Sequence, residues 1–158
     1  MSAGELSDYS VCVVLQIQDG DIYVLDVLRE RLEYPDLRRK VIDGHRRWSS
    51  LARNFALLIE DKGSGMSLIQ DLRQVGIRAI KANPEKEKIL RMNAHTAKIE
   101  AGYVHLPRHA SWLGEFRREL MAFPACKHDD QVDALSQALD RAFKPKQRVY
   151  CTTPRGTF

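Results

Sequence analysis

Residues 55–61 of the chain read FALLIED, a short continuous run of apolar side chains that ends abruptly in Glu60 and Asp61. Such a run, without polar alternation, is typical of a strand that is buried on both faces. The two acids then fall where the strand reaches the edge of its sheet. The stretch therefore predicts a central strand of a largely parallel sheet, with Glu60 at its carboxyl end.

The segments before this run predict a β-hairpin followed by a helix. Apolar side chains alternate along YSVCVVLQI (9–17), the Asp-Gly pair of QDGD (18–21) is a turn signal, and IYVLDVLRERL (22–32) supplies a second strand. YPDLRRKVIDGHRRW (34–48) has apolar residues at helical spacing and Pro35 in its first turn. An antiparallel hairpin is thus expected at the front of the domain.

Helices and strands alternate after the run. We predict a helix within GSGMSLIQDLRQVG (63–76), a strand at IRAIKA (77–82), a helix over 86–101 and a brief strand at YVHLP (103–107). Two amphipathic helices follow, and their apolar faces are predicted to be core: Trp112, Leu113, Phe116, Leu120 and Phe123 in one, Val132, Leu135, Leu139 and Phe143 in the other. The order β-β-α-β-α-β-α-β-α-α indicates an α/β domain with a mixed sheet and flanking helices.

The composition fits one soluble globular domain of 158 residues, with 44% hydrophobic and 29% charged side chains. No run is long enough to span a membrane, and the opening residues lack signal-peptide character, so a cytoplasmic location is expected. Three separated cysteines and five histidines form no zinc motif, which leaves an oxygen-ligand site for a hard cation. The net charge of +4 is compatible with nucleic-acid binding and equally with simple solubility.

A second group of acids, Asp129, Asp130 and Asp133, lies at the start of the last helical pattern, in HDDQVDALSQALDRAF (128–143). The local sequence favours a helix cap, because aspartate oxygens accept the unpaired N–H groups of a first turn. The alternative is a metal site, since ligands gather at the carboxyl ends of strands and converging carboxylates need a cation such as Mg²⁺ or Mn²⁺. Two such ions would support phosphodiester hydrolysis.

Nearly the whole chain also resembles a known protein family. DYSVCVVLQI, LLIEDKGSGMSLIQDL, KILRMNAHTAKIEAGYVHLP, WLGEFRRELMAFP and HDDQVDALSQAL, in this order, resemble the C-terminal nuclease domain of the large terminase subunit of tailed bacteriophages, from Asp8 to Leu139. The resemblance implies an RNase H-like fold and a Mg²⁺- or Mn²⁺-dependent endonuclease that cuts concatemeric DNA during packaging. We accordingly expect a nuclease domain over 8–143 and a basic, flexible tail over 144–158.

The resemblance also implies roles for individual residues. Glu60 of LLIED matches the strand acid and the HDD pair matches the helix acid, so Glu60, Asp129 and Asp130 are the expected catalytic metal ligands, with the choice between the two aspartates open. Asp133 ranks below them as a cap or supporting group. The candidates for DNA contact are Lys62, Lys88 and Arg91.

One family feature lies outside the chain. Members carry an aspartate on a first strand that precedes the DYS element, and this sequence begins too late to include it, with only Glu5 as a substitute. The resemblance thus implies a nuclease domain that lacks one edge strand and one metal ligand, with impaired cleavage. The ATPase phosphate-binding motif of the packaging motor is absent as well.

The expected partners are double-stranded DNA and, by resemblance, the terminase ATPase domain, the small terminase subunit and the portal, in the cytoplasm of a bacterial host and with no membrane. Two other functions stay open. One is a catalytically silent DNA-binding or packaging-assembly module, and the other is a resolvase-like enzyme on the same fold. Fold alone does not decide among them.

Overall fold

The computed structural model describes residues 9–84 and 86–144, and within them every predicted element occurs in the predicted order. The expected domain start at Asp8 and the tail beyond Lys144 lie outside the described residues. The strands are β1 (Ser10–Gln18), β2 (Asp21–Glu30), β3 (Leu57–Glu60), β4 (Ala79–Ala82) and β5 (Val104–His105). The helices are α1 (Tyr34–Ser49), α2 (Ser64–Gln74), α3 (Lys88–Glu100), α4 (Leu113–Ala122) and α5 (Asp130–Phe143).

The predicted hairpin is confirmed, and its turn explains the Asp-Gly signal. β1 and β2 pair antiparallel, and both turn residues have positive φ, 53° at Asp19 and 93° at Gly20. Two-residue hairpin turns of this kind match the right-handed twist of the strands, and only glycine and short polar residues adopt them readily. The turn therefore sets the register in which the longest pair of strands begins.

A bulge in β2 changes which side chains face the core. Val14 lies opposite Asp26 and Leu15 lies opposite Val24, so Leu25 is an extra residue on the β2 side. An extra residue inverts the in-and-out alternation beyond it. The buried positions of β2 accordingly run Ile22, Val24 and Val27.

The described strands form two sheets, where the sequence predicted one mixed sheet. The first has the order β1-β2-β5, with β5 parallel to β2, and the second consists of β3 and β4 in parallel. Within residues 9–84 and 86–144, β3 is therefore not central: it has one paired neighbour there, and all four of its residues are half-buried. Its apolar pattern is that of a strand with neighbours on both sides, but the described residues provide only one.

Two hydrophobic clusters correspond to the two sheets. The larger cluster joins the hairpin to α4 and α5 and consists of Ile22, Val24, Val27, Phe116, Leu135 and Leu139. The smaller lies between α2 and β3–β4, is built on Leu68, Leu72 and Ile77, and is flanked by apolar side chains of α1. The predicted core role of the α4 and α5 stripes is confirmed, and α5 packs on β1 and against α3. Within the described residues, no helix is long and apolar enough to cross a membrane.

Candidate active site

The turn after β3 fixes the backbone of Glu60. The carbonyl oxygen of Glu60 accepts a hydrogen bond from the Lys62 amide at 2.9 Å, and Gly63 has a φ of 55°. A Cβ on Gly65 would lie 2.0 Å from that same carbonyl oxygen, so the start of α2 approaches the strand end as closely as glycine permits. The two glycines thus serve the strand-to-helix turn.

The two acids at the end of β3 differ in their partners. Asp61 accepts a hydrogen bond from Lys81 at 3.1 Å across the strand pair. The half-buried carboxylate of Glu60 has no ion-pair partner among the residues that the structure describes. The carboxylate of Glu60 therefore remains available for a cation, whereas that of Asp61 is engaged.

At the start of α5, the cap comes from another helix. Asp129 occupies the N-cap position, but its side chain makes no capping hydrogen bond. Instead Glu119 of α4, which is 8% exposed, accepts the amides of Gln131 at 2.7 Å and Val132 at 3.1 Å and the Gln131 side chain at 2.6 Å. The expectation that the aspartates cap this helix through their side chains is wrong at Asp129, because a buried carboxylate already satisfies the first-turn donors.

Asp130, the first residue of α5, lies where negative charge is crowded. Burial raises the pKa of its carboxyl, and the Glu119 and Asp129 carboxylates raise it further, while His128 and Arg29 act in the opposite direction. A carboxylate in this position gains more from a cation than an isolated one does. A carboxyl with a pKa perturbed in this way marks Asp130 as a candidate functional residue.

Lys88, a predicted DNA contact, lies among the α5 acids. Its Nζ is 2.8 Å from Asp129 Oδ1. Burial by itself lowers the pKa of Lys88, but the hydrogen bond to Asp129 and the charges of Asp129, Asp133 and Asp130 outweigh it, so the pKa is raised. Lys88 is thus held as an ammonium beside Asp129, which is one of the two aspartates that the resemblance assigns to a metal.

Arg91, another predicted DNA contact, is buried in the interior instead. It is 3% exposed, its guanidinium donates to Ser136 Oγ at 2.9 Å and to the Lys86 carbonyl at 2.8 Å, and it pairs with Asp133. These contacts join α3 to α5, and the burial of the side chain keeps it from a DNA phosphate. Asp133 is thus a structural partner of Arg91. Lys62 is exposed, as a phosphate contact requires.

Sequence reasoning missed two neighbours of this site. Arg29 of β2 lies over the ring of Tyr9 at 3.7 Å from its centroid and pairs with Glu115 at 3.6 Å, while the His128 ring meets Tyr9 edge-on at 5.6 Å. Glu119 was missed because an acid on an amphipathic helix is usually solvated, and its partners lie twelve or thirteen residues ahead. The signal was the spacing of Glu119, which lies four residues before the apolar Phe123 and therefore on the same face of the helix.

The structure does not bring the three predicted ligands into one cluster. Across residues 9–84 and 86–144, no group of three or more His, Cys, Asp or Glu side chains is close enough to hold a metal ion. Glu60 ends a strand of the second sheet, and Asp129 and Asp130 start a helix packed on the first. All three are carboxylates, the donor type that suits Mg²⁺ or Mn²⁺, and of the three only Asp129 has an ion-pair partner, Lys88, in the described residues.

A shallow concavity at the start of α4 is lined by basic groups. Its volume is about 560 Å³, and its lining includes Arg108, His109 and Arg117 but no acid. Glu115, in the first turn of the same helix, pairs with Arg29, whose charge acts on Asp130. A positively charged surface of this kind favours polyanions.

One comparison with known proteins identifies the chain's relatives. The family model of the terminase RNaseH-like domain matches residues 1–142, most of the chain. No curated protein and no solved structure matches it. The mixed α/β architecture is consistent with this family, and the family supports a nuclease module of phage DNA packaging.

Proposed function

Because the chain belongs to the terminase RNaseH-like domain family, we propose that it is a metal-dependent DNA endonuclease module that cuts concatemeric phage DNA during packaging. The observation that carries the proposal is the start of α5. Asp129 and Asp130 are spared from capping by Glu119, and Asp130 has a raised pKa. Because the buried Glu119 caps the helix, the half-buried carboxylates of Asp130 and of Asp129, which pairs with Lys88, are not needed for capping.

Glu60, Asp129 and Asp130 are the residues that would hold Mg²⁺ or Mn²⁺. When bound, such an ion stabilises the developing charge on phosphate oxygens and activates water. Other residues of the chain position these acids. The close approach of Gly65 fixes the strand end that carries Glu60, and Glu119 fixes the first turn that carries the aspartates. Lys62 contacts a DNA phosphate, and Arg91 is withdrawn from the set of DNA contacts because it is buried.

The two sheets point to how the acids come together. In the described residues β1 pairs only with β2 and β3 pairs only with β4, so each sheet ends in a strand with an unpaired edge. Unpaired strand edges are templates for another strand. A further strand that paired with both β1 and β3 would unite the two sheets and bring their acids closer together.

The test is Mn²⁺-dependent nicking of supercoiled plasmid by the chain and by Asp129→Asn and Asp130→Asn variants. Asp43→Asn, at a 64% exposed carboxylate on α1, is the matched control. We expect nicking to be lost when the aspartate that binds the metal is replaced, and to be unchanged in the control. A version extended at its amino end by any residues encoded upstream belongs in the same assay.

The second candidate is a catalytically silent DNA-binding or packaging-assembly module, favoured by the acid-free basic concavity on α4. Salt-sensitive DNA binding without nicking by either version would support it. Nicking that depends on an α5 aspartate would exclude it. Both candidates act on double-stranded DNA in the bacterial cytoplasm, with the packaging machinery as the partner.

A further inference from the structure

The Lys88 ammonium makes the closest contact of any cation with the candidate metal ligands in the described residues. It donates to Asp129 Oδ1 at 2.8 Å, and the side chains of Lys88 and Asp129 are 36% and 32% exposed. The pair is therefore partly shielded from water, which strengthens it relative to a surface ion pair. Lys88 is not required as a helix cap, because it is the first residue of α3 and a donor.

The position of Lys88 is fixed by the helix that carries it. Arg91, one turn further along α3, is buried against α5 through Ser136 and Asp133. This anchor holds the first turn of α3 beside the first turn of α5. Lys88 therefore faces the aspartates as a consequence of helix packing and not of a chance surface contact.

A divalent cation and an ammonium cannot share one carboxylate oxygen without mutual repulsion. Metal ligation needs the oxygen lone pairs of Asp129, and Lys88 occupies one of these sites. A positive charge that stays beside the ion would also weaken its binding. Binding of the ion at Asp129 therefore requires the ammonium to move away or to be outcompeted.

We propose that Lys88 is an internal counter-cation that competes with the divalent metal for Asp129. The proposal rests on the proposed function, because it takes Asp129 as a ligand. Lys88 neutralises the acidic first turn of α5 when the ion is absent and sets the metal concentration at which the site fills. Lys88 is thus a positioning residue that acts through Asp129.

The test is direct binding of Mn²⁺ to the full chain, measured from the electron paramagnetic resonance signal of the free ion. Lys88→Met removes the charge and keeps the length of the side chain, and Lys88→Arg keeps the charge. Lys81→Met is the matched control, since Lys81 makes a comparable 3.1 Å pair with Asp61 on the second sheet. We expect Lys88→Met to bind Mn²⁺ about threefold to tenfold more tightly, as breaking a partly shielded ion pair requires.

In the same titration we expect Lys88→Arg to bind Mn²⁺ with nearly the affinity of the parent protein, and Lys81→Met to bind it with unchanged affinity. Equal or weaker Mn²⁺ binding by Lys88→Met, with the fold verified by circular dichroism, would overturn the competition. Failure of the proposed function looks different. In that case Mn²⁺ binding is insensitive to Asp129→Asn in both the parent and the Lys88→Met background, which also removes the basis of the competition.

Discussion

Truncation of Glu119 to alanine should destabilise the protein strongly, because this buried carboxylate holds the first turn of α5. The substitution removes hydrogen bonds from the Gln131 amide at 2.7 Å, the Val132 amide at 3.1 Å and the Gln131 side chain at 2.6 Å. A net loss of about 1–1.5 kcal/mol for each bond gives about 3–5 kcal/mol in total. This is a large part of the about 5–15 kcal/mol typical of a domain.

The assay is equilibrium unfolding in urea, with the free energy of unfolding extrapolated to water. Glu115→Ala is the matched control, because Glu115 lies one turn earlier on α4, is 63% exposed and makes only a 3.6 Å ion pair with Arg29. We expect the control to change stability by less than about 1 kcal/mol. Equal small losses in both variants would refute the assignment of Glu119 as the cap of α5.

Three further outcomes are expected. Gly20→Ala should lower the free energy of unfolding by about 1 kcal/mol, because its φ of 93° suits glycine, whereas Gly44→Ala, with open space in α1, should raise it by about 0.5–1 kcal/mol; urea midpoints check both. Arg91→Ala should cost about 3–5 kcal/mol, because it removes a buried guanidinium and leaves Asp133 and the Ser136 hydroxyl without their partner, and it should leave the salt dependence of DNA binding unchanged in filter-binding assays. Asp130→Asn should be more stable than the parent at neutral pH, since a raised carboxyl pKa makes ionisation unfavourable in the folded state, and this advantage should vanish below the ordinary pKa of 3.8 in urea titrations across pH.

The sequence predicted the features that depend on local patterns. The alternation of Val11, Val13 and Leu15 and the Asp-Gly pair specified the hairpin, and the spacing of Leu135 and Leu139 specified the buried face of α5. These signals work because side-chain direction follows from chain geometry alone. They explain why every element was predicted in its observed order.

The sequence did not predict features that arise from contacts between distant segments. The apolar run of β3 indicated neighbours on both sides, yet strand pairing is non-local, and the described residues supply only β4. Arg91 was a predicted DNA contact by resemblance, whereas its burial depends on a contact with Ser136, 45 residues away. The family resemblance supplied the site residues, and their joint role stays a prediction.

The central claim is that Glu60 is a ligand of a metal-dependent nuclease site, and Mn²⁺-dependent nicking of supercoiled plasmid tests it most directly. Glu60→Gln keeps the shape of the side chain and removes its charge. Asp61→Asn, at the adjacent acid that pairs with Lys81, is the control. We predict, in the chain or in the version extended at its amino end, that Glu60→Gln abolishes nicking and Asp61→Asn retains it. Undiminished nicking by Glu60→Gln would contradict the account.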